Sequence, residues 1–241
     1  PVISVGSLST GGAGKTPLTI ALARALVARG LHVDVLSRGY GRVGTGAARV
    51  LADGCADEFG DEPLLIARQA EVPVYVAAQR YDAGVLAEKE MPQGAWGVHI
   101  LDDGFQHRQL YRNVDIVLLS RADLADRLLP AGNLREPLSA LHRATVLATP
   151  ADDEQIERHF LQAAGTGRNP DGPRWSGPVW RLRRRMEVPA VGGPVLAFCG
   201  IARPEQFFAG LESTGMQLAG RRVFPDHHRY TAADLGRLAV Q

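Results

Sequence analysis

The chain has few cysteines, few aromatic residues, no excess of one charge and no long apolar run. Its two cysteines, Cys55 and Cys199, lie far apart and outside any Cys-x-x-Cys or His-rich motif, so neither a disulfide framework nor a zinc site is indicated. The 27 Lys and Arg nearly balance the 26 Asp and Glu, which argues against general attraction to nucleic acid. No run of ~18 apolar residues is present, so no membrane span is predicted.

What is present is an alternation of short β-rich runs and segments with helical periodicity. The chain has 241 residues and is 45% hydrophobic, which is enough to bury an ordinary core. The alternation predicts an α/β fold with a mostly parallel sheet flanked by helices. The strands predicted first are Val2–Val5, His32–Leu36, Val72–Val76, Val98–Leu101, Val114–Leu119 and Thr145–Ala148. The helices predicted among them are Lys15–Arg29 and Leu64–Gln69.

The composition changes to Gly, Pro, Asn and Asp between Gly165 and Gly177, which indicates a linker. We therefore expect a first domain over residues 1–170 and a smaller C-terminal α/β lobe over residues 171–241. Because the helical pattern is still running at Gln241, we expect this lobe to continue in a longer protein. The strands predicted after the linker are Val179–Leu182, Pro194–Cys199 and Gln217–Val223, and the helices are Pro204–Ser213 and Ala232–Val240.

A glycine-rich loop follows the first strand and leads into the first helix, which is the place of a Walker-A phosphate loop. In such a loop backbone N–H groups surround phosphate oxygens, Lys15 reaches the outer phosphates and Thr16 holds Mg²⁺. The strict pattern has Gly where Ser9 stands, and Gly11 and Gly12 are expected to supply the turn instead. The predicted nucleotide-binding residues are Ser9, Thr10, Gly11, Gly12, Ala13, Gly14, Lys15, Thr16 and Pro17.

Acidic residues stand at or near the carboxyl ends of predicted strands, where open α/β sheets bind their ligands. Asp102 and Asp103 directly follow an apolar strand, which suits a Walker-B role in holding Mg²⁺, although an acidic turn is the alternative. Asp61 precedes a predicted helix. It is therefore either a proton acceptor in phosphoryl transfer or an N-cap.

Several further polar side chains are candidates for substrate or phosphate contacts, because arginines can bind phosphate in a bidentate manner. Solvated side chains on flexible turns are the alternative for these. A loop near the end carries His227 and His228 beside an Asp, which favours a catalytic-base partner over a metal site, with an ordinary polar loop left open. The candidate contacts are Arg38, Glu62, Arg80, Gln106, His107, Arg135 and Glu136.

Taken together, these motifs resemble those of the tetraacyldisaccharide 4′-kinase family, the lipid A 4′-kinases. The Asp-Asp-Gly-Phe-Gln-His stretch is the most diagnostic, since Walker-A loops occur in many unrelated enzymes. The segments that carry the resemblance are Gly11–Pro17, Ser37–Gly41, Gly60–Pro63, Asp102–His107, Leu129–Gly132, Leu134–Pro137 and Phe224–His228.

The resemblance implies transfer of the γ-phosphate of ATP, with Mg²⁺, to the 4′-hydroxyl of a tetraacylated disaccharide 1-phosphate. It implies catalytic roles for Lys15 and Asp61, the latter with His227 or His228 as its partner. It also implies a lipid A precursor as substrate at the cytoplasmic face of a Gram-negative inner membrane, without an obligate protein partner or nucleic acid. Family members usually carry Asn in place of Ser7 and an N-terminal hydrophobic helix. The rival hypotheses are a P-loop nucleotide switch and a kinase of a soluble metabolite.

Overall fold

The computed structural model describes residues 1–153, 156 and 175–239. The chain divides into two units, Pro1–Leu182 and Arg183–Gln241. The predicted linker lies for the most part outside the described residues, and the predicted domain limits of 1–170 and 171–241 stay a prediction. No helix of the described part has both the length and the apolar character that crossing a bilayer requires.

The first unit is built on an eight-stranded sheet in the order β3-β4-β2-β5-β1-β6-β7-β8. Its neighbours pair in parallel, except that β3 is antiparallel to β4. The predicted α/β class with a mostly parallel sheet is therefore confirmed. The strands are β1 Val2–Ser7, β2 His32–Ser37, β3 Ala48–Arg49, β4 Val74–Val76, β5 Gly97–Asp102, β6 Val114–Leu118, β7 Val146–Pro150 and β8 Val179–Leu182.

Helices cover both faces of this sheet, because successive strand residues point to opposite faces. Val35 belongs to the core under α1 and α3, whereas the next residue, Leu36, belongs to the core under α4. The helices are α1 Lys15–Val27, α2 Ala56–Phe59, α3 Asp61–Ala70, α4 Arg80–Glu90 and α5 Arg121–Ala125, with a 3₁₀ helix at Leu138–Arg143.

Helix α4 has no counterpart in the sequence prediction, because its buried stripe consists of small residues. Ala83 and Ala87 are buried against the sheet, and a Cβ on Gly84 would meet a methyl group of Leu36 at 3.5 Å. Such residues carry little hydrophobic signal, yet they let the helix approach the strands closely. The strand Val179–Leu182 does form as predicted, but it pairs with β7 and extends the large sheet.

The connection from β5 to β6 crosses over β1 without a helix. Phe105, in this connection, is fully buried, and a Cβ on Gly6 would lie 2.5 Å from its Cβ. Only glycine in β1 leaves room for this crossing. The crossing brings the residues after Asp102 directly against the strand that leads into the glycine-rich loop.

The second unit contains a parallel pair of strands, β9 Val195–Cys199 and β10 Leu218–Val223, joined by helix α6 Pro204–Ser213. Phe208 and Leu211 of α6 pack on the strands and form a small separate core. A further helix, α7, spans Ala232–Ala239. The strand–helix–strand arrangement agrees with the α/β pattern predicted for this part of the chain.

Candidate active site

The glycine-rich loop lies between β1 and α1, and its turns are made by three glycines. Gly11, Gly12 and Gly14 have φ values of 63°, 61° and 88°, in the left-handed region that glycine adopts readily. Helix α1 begins at Lys15, whose side chain is buried. The loop therefore obtains its conformational freedom from glycines after Ser9, as expected from the sequence.

The first residues of the loop are paired with a segment that lies far away in the sequence. Ser9 forms an antiparallel bridge with Leu134, the Thr10 N–H donates to Asn133 O over 2.9 Å, and the Arg135 N–H donates to Leu8 O over 2.7 Å. A residue in a bridge has extended backbone, which needs no glycine, and this explains the departure from the strict Walker-A pattern. The amides after Thr10 remain as candidates for phosphate binding.

Asp102 ends β5 as a buried carboxyl group that is 1% exposed. It accepts hydrogen bonds of 3.4 Å from the hydroxyls of Thr19 and Ser37. Burial, followed by the negative charges of Glu62 and Asp103, raises the pKa of Asp102 to about 7. Burial makes ionisation of this carboxyl group unfavourable, and a bound divalent cation would stabilise its ionised form.

Asp103 joins the acidic pair to the glycine-rich loop. Its φ of 48° is a left-handed backbone conformation that Asp tolerates better than most residues. Its carboxyl group contacts the side chains of two basic residues. Arg135 Nη1 donates to Asp103 Oδ2 over 2.9 Å, and Lys15 Nζ lies 3.5 Å from Oδ1. Lys15 Nζ is also 3.4 Å from the hydroxyl oxygen of Ser7. The loop lysine, the acidic pair and an arginine thus converge at the carboxyl end of the sheet.

Gln106 and Glu136 hold this arrangement together. Gln106 Nε2 donates to Ser7 O over 3.1 Å and to Glu136 Oε1 over 3.2 Å, while its Oε1 accepts from Arg135 over 3.0 Å. Glu136 also forms an ion pair of 2.8 Å with Arg143. Two predicted contact residues therefore position Arg135 instead of facing solvent.

Arg80 starts α4 and is almost fully buried, at 3% exposure. Its Nη2 lies 3.3 Å from the carbonyl oxygen of Asp102 and 3.5 Å from that of Asp103. Burial, and then the nearby charge of Arg38, lower the pKa of Arg80 to about 10. Burial and the charge of Arg80 likewise lower the pKa of His107. Arg80 and Arg38 therefore bring positive charge to the acidic pair, and the neutral form of the His107 ring is favoured.

Asp61 is the first residue of α3, and the N-cap is Gly60. Because the helix begins at Asp61, the interpretation of this residue as the N-cap is wrong. Its carboxylate instead accepts the N–H of the next residue, Glu62, over 2.9 Å.

Gly60 has a φ of 90°, and a Cβ there would lie 3.1 Å from the Cα of Gly39. The turn that carries Arg38 is thereby fixed against the start of α3, so it is not a free surface loop.

In the second unit, His228 is held in place on several sides. Its Nε2 lies 3.2 Å from Asp234 Oδ2, and its ring stacks on Phe224 with 4.6 Å between centroids. The Thr231 N–H and hydroxyl also donate to Asp234, and these bonds, with that of His228, hold the pKa of Asp234 well below its usual range. Asp234 lies in the first turn of α7, so this helix anchors the imidazole.

His227 has a different environment in the same unit. Its backbone is left-handed, with a φ of 56°, and its side chain is 45% exposed. Its Nε2 lies 3.9 Å from Asp226 Oδ2. The two neighbouring histidines therefore differ, since one ring is packed and anchored and the other is accessible to solvent.

Four residues at the site were not among the predicted contacts: Thr19, Ser7, Ser37 and Arg143. Thr19 had a usable signal, because it follows Lys15 by four residues and so shares its face of α1. Ser7 and Ser37 end β1 and β2, so their positions at the ligand edge of the sheet were a usable signal as well. Arg143 lies at the end of the 3₁₀ helix, and no sequence pattern indicated its ion pair with Glu136.

A glycine-rich loop before a helix, with its lysine beside paired acids at the carboxyl ends of parallel strands, defines a P-loop nucleotide-binding protein. The comparisons with known proteins narrow this class. The family model described as tetraacyldisaccharide-1-P 4′-kinase matches residues 1–241. The chain belongs to this family.

Individual relatives agree with this assignment. A tetraacyldisaccharide 4′-kinase of Koribacter versatilis is 45% identical, with 99% of this chain and 72% of the relative covered. One of Halorhodospira halophila is 41% identical, with 98% of this chain and 68% of the relative covered. The crystal structure of LpxK from Aquifex aeolicus in complex with ATP is 37% identical, with a TM-score of 0.76 over 96% of this chain and 73% of that one.

Proposed function

We propose that this protein transfers the γ-phosphate of ATP to the 4′-hydroxyl of tetraacyldisaccharide 1-phosphate, a step of lipid A biosynthesis. Membership of the kinase family supplies the reaction and the acceptor. The observation that carries the proposal is the convergence of Lys15, Asp103 and Arg135 at the end of the glycine-rich loop. Phosphoryl transfer depends mainly on positioning and on neutralising phosphate charge, and these groups are suited to both.

The nucleotide is expected to bind along the loop from Ser9 to Pro17. Lys15 meets the outer phosphates, and Arg135 adds a second positive charge beside them. Thr16, Asp102 and Asp103 are suited to hold Mg²⁺, since this ion prefers one or two carboxylates together with phosphate oxygens. The buried carboxyl group of Asp102, whose pKa is raised to about 7, supports this role. The ion would neutralise charge on the phosphates.

Asp61 is the proposed acceptor of the proton from the attacking hydroxyl, with His227 or His228 as its partner. His228 is oriented by its contacts with Asp234 and Phe224, whereas the side chain of His227 is accessible to solvent. Loss of a general base typically lowers the rate by about 10²-fold or more.

Kinetics of single variants test these roles. Asp61→Asn should lower kcat by about 10²-fold with little change in the KM for ATP, because a proton acceptor does not bind nucleotide. Of His227→Gln and His228→Gln, the variant that removes the partner should lower kcat to a similar extent and change its pH profile, whereas the other should leave the pH profile unchanged. A wild-type kcat in Asp61→Asn would contradict the assignment of the base.

The rival functions are separated by the dependence on acceptor. A nucleotide switch hydrolyses ATP or GTP without a lipid sugar, whereas a kinase releases ADP in proportion to acceptor phosphorylated. If the protein is a kinase of a soluble metabolite, that metabolite should compete with detergent-solubilised lipid as acceptor and lower the phosphorylation of the lipid. The proposal predicts stoichiometric, acceptor-dependent ADP release.

The acceptor is a membrane lipid, so we also propose that the full-length protein works at the cytoplasmic face of a Gram-negative inner membrane. The near balance of 27 basic and 26 acidic residues gives no support for nucleic acid as a partner. Flotation of the full-length protein with vesicles that contain the lipid acceptor tests this location. Failure to float in the presence of acceptor would contradict it.

A further inference from the structure

Arg143 is the last residue of the 3₁₀ helix, and the proposed function gives it no part in the reaction. Its Nη2 contacts both carboxylate oxygens of Glu136, over 2.9 Å to Oε1 and 2.8 Å to Oε2. In the part of the chain that the structure describes, the hydrogen bonds and ion pairs of this guanidinium go to Glu136. Any influence of Arg143 on the reaction therefore has to pass through other side chains.

The guanidinium of Arg143 also lies over an aromatic ring. Its central carbon is 4.6 Å from the ring centre of Phe105, a distance at which a cation is attracted to the ring. Phe105 is fully buried where its segment crosses β1 at Gly6, so the ring is a rigid support. The Arg143 side chain is 18% exposed, and its buried Nε has no partner among the described residues. The ion pair with Glu136 is then the main compensation for the lost hydration of this charge.

Glu136 decides which way the amide group of Gln106 faces. A carboxylate and a backbone carbonyl only accept hydrogen bonds, so the amide nitrogen has to face Glu136 Oε1 and Ser7 O. These two distances are 3.2 Å and 3.1 Å. The amide oxygen is left for Arg135, whose Nη1 donates to it over 3.0 Å. The reverse orientation would bring the N–H groups of Gln106 against those of Arg135.

Arg135 connects this amide with the acidic pair. Its Nη1 is shared between Gln106 Oε1 and Asp103 Oδ2, over 3.0 Å and 2.9 Å. Asp103 Oδ1 lies 3.5 Å from Lys15 Nζ. An arginine side chain has many rotamers, so it keeps one position only when its partners are fixed. A continuous set of polar contacts therefore joins Arg143 to the lysine of the glycine-rich loop.

We propose that Arg143 is a positioning residue for phosphoryl transfer. It holds Glu136, and through the Gln106 amide it keeps the Arg135 guanidinium where that group can stabilise charge on the transferred phosphate. The inference rests on the proposed kinase function. The effect of Arg143 comes from geometry, and a displacement of ~1 Å in a site can lower a rate by ~10²-fold.

Two substitutions separate the charge of Arg143 from its packing. Arg143→Lys keeps a cation that can pair with Glu136, but it has no planar group to lie on Phe105. Arg143→Met keeps a flexible apolar chain over Phe105 and carries no charge. If holding Glu136 is what matters, the lysine variant should retain function and the methionine variant should lose it.

The measurement is steady-state kinetics of the full-length protein with ATP and tetraacyldisaccharide 1-phosphate. Arg143→Met should lower kcat by about tenfold or more, and Arg143→Lys by less than about threefold. The KM for ATP should stay within about threefold for both variants, because Lys15 and the loop amides are unchanged. The pH profile of kcat should keep its shape, because Arg143 takes up no proton in the reaction.

A double-mutant cycle with Arg135 tests the route of this effect. If Arg143 acts through Arg135, Arg143→Met should lower kcat by less than about threefold once Arg135→Gln has removed the guanidinium that it positions. A general structural role of Arg143 would instead lower kcat by the same factor in both backgrounds.

Other outcomes overturn the inference. Wild-type kcat in Arg143→Met would mean that the side chain is not needed for the reaction. Arg143→Met at least as active as Arg143→Lys would mean that Arg143 only packs on Phe105. Losses that multiply in the cycle would mean that it acts independently of Arg135. Absence of phosphate transfer by wild type would instead reject the kinase function.

Two further variants keep the test informative. Arg49→Met makes the same chemical change in an exposed arginine that pairs with Glu90, and it should leave kcat unchanged. If Arg143→Met proves unfolded by urea titration, Glu136→Gln enters the same cycle, because it removes the charge that Arg143 holds. It should lower kcat by about tenfold in wild type and by less than about threefold in Arg135→Gln. Equal factors in the two backgrounds would count against the inference.

Discussion

Replacing Asp102 with Asn should stabilise the ligand-free protein while abolishing its activity. The pKa of this buried carboxyl group rises from 3.8 to about 7 on folding. At ~1.4 kcal/mol per unit of pKa difference, keeping Asp102 charged costs the folded state up to about 4 kcal/mol above neutral pH. Asparagine has nearly the same shape and carries no charge. Its Oδ1 can accept from one of the hydroxyls of Thr19 and Ser37, and its Nδ2 can donate to the other.

The sign of the pH dependence follows from linkage. The folded pKa is raised, so the cost is absent below about pH 4, grows as pH rises between the two pKa values, and is constant above about pH 7. The stabilisation of Asp102→Asn over wild type should therefore be about 1.5–2 kcal/mol near pH 5 and about 4 kcal/mol near pH 8. For a chain of this size, the larger value corresponds to a rise in Tm of roughly 8–16 °C.

Urea and thermal unfolding of both proteins across this pH range, without nucleotide or metal, provide the measurement. Kinase activity of the variant should fall by about 10²-fold or more, because the carboxylate expected to hold Mg²⁺ is gone. Added Mg-ATP should raise the Tm of wild type more than that of the variant. An equal or lower Tm for the variant near pH 8, or a difference that does not change with pH, would show that the charged Asp102 carboxylate does not destabilise the folded protein.

Two further predictions concern the scaffold. Gly6→Ala should destabilise the protein by about 1–3 kcal/mol, because the added Cβ would lie 2.5 Å from the Cβ of Phe105. Gly44→Ala is the matched control, since a Cβ at Gly44 would have nothing within 4 Å. Equal urea midpoints for the two variants would contradict the prediction. In the wild type, a 2.7 Å bond to the buried Asp34 raises the pKa of His99. His99→Gln removes this ionisable partner. Because a raised folded pKa gives stability below the unfolded pKa and loses it as pH rises through the folded value, the loss from this variant should be larger near pH 6 than near pH 9 in urea titrations.

The strands of this fold were predictable because their signals are local. β2 was expected over His32–Leu36 and spans His32–Ser37, and the helix Pro204–Ser213 has the expected limits. The strand expected from Val72 begins at Val74, since Pro73 has no N–H to donate to a neighbouring strand. Small-residue packing, as in α4, and the pairing of β8 with the large sheet are decided by tertiary contacts.

In the candidate site, too, the features with local sequence signals could be predicted, and those that depend on tertiary contacts could not. Glycine-rich turns and acids after strands have fixed places in an α/β sheet, so the meeting of Lys15 with the acidic pair at one edge could be predicted from their positions, and their roles stay predictions. The pairing of Ser9 with Leu134 and the contacts of Arg80 with the Asp102 and Asp103 backbone join segments that are distant in sequence. The exclusion of Asp61 as an N-cap required the helix to be seen to begin at that residue.

In the proposed function, the groups around Lys15 transfer phosphate from ATP to one particular hydroxyl. To test this, the full-length protein is incubated with γ-³²P-labelled ATP and tetraacyldisaccharide 1-phosphate, and the position of the new phosphate is determined by NMR. We expect a bisphosphorylated product with the label at the 4′ position, and none above background with Lys15→Ala. Label at another position, label released only as inorganic phosphate, or equal product from the Lys15 variant would contradict it.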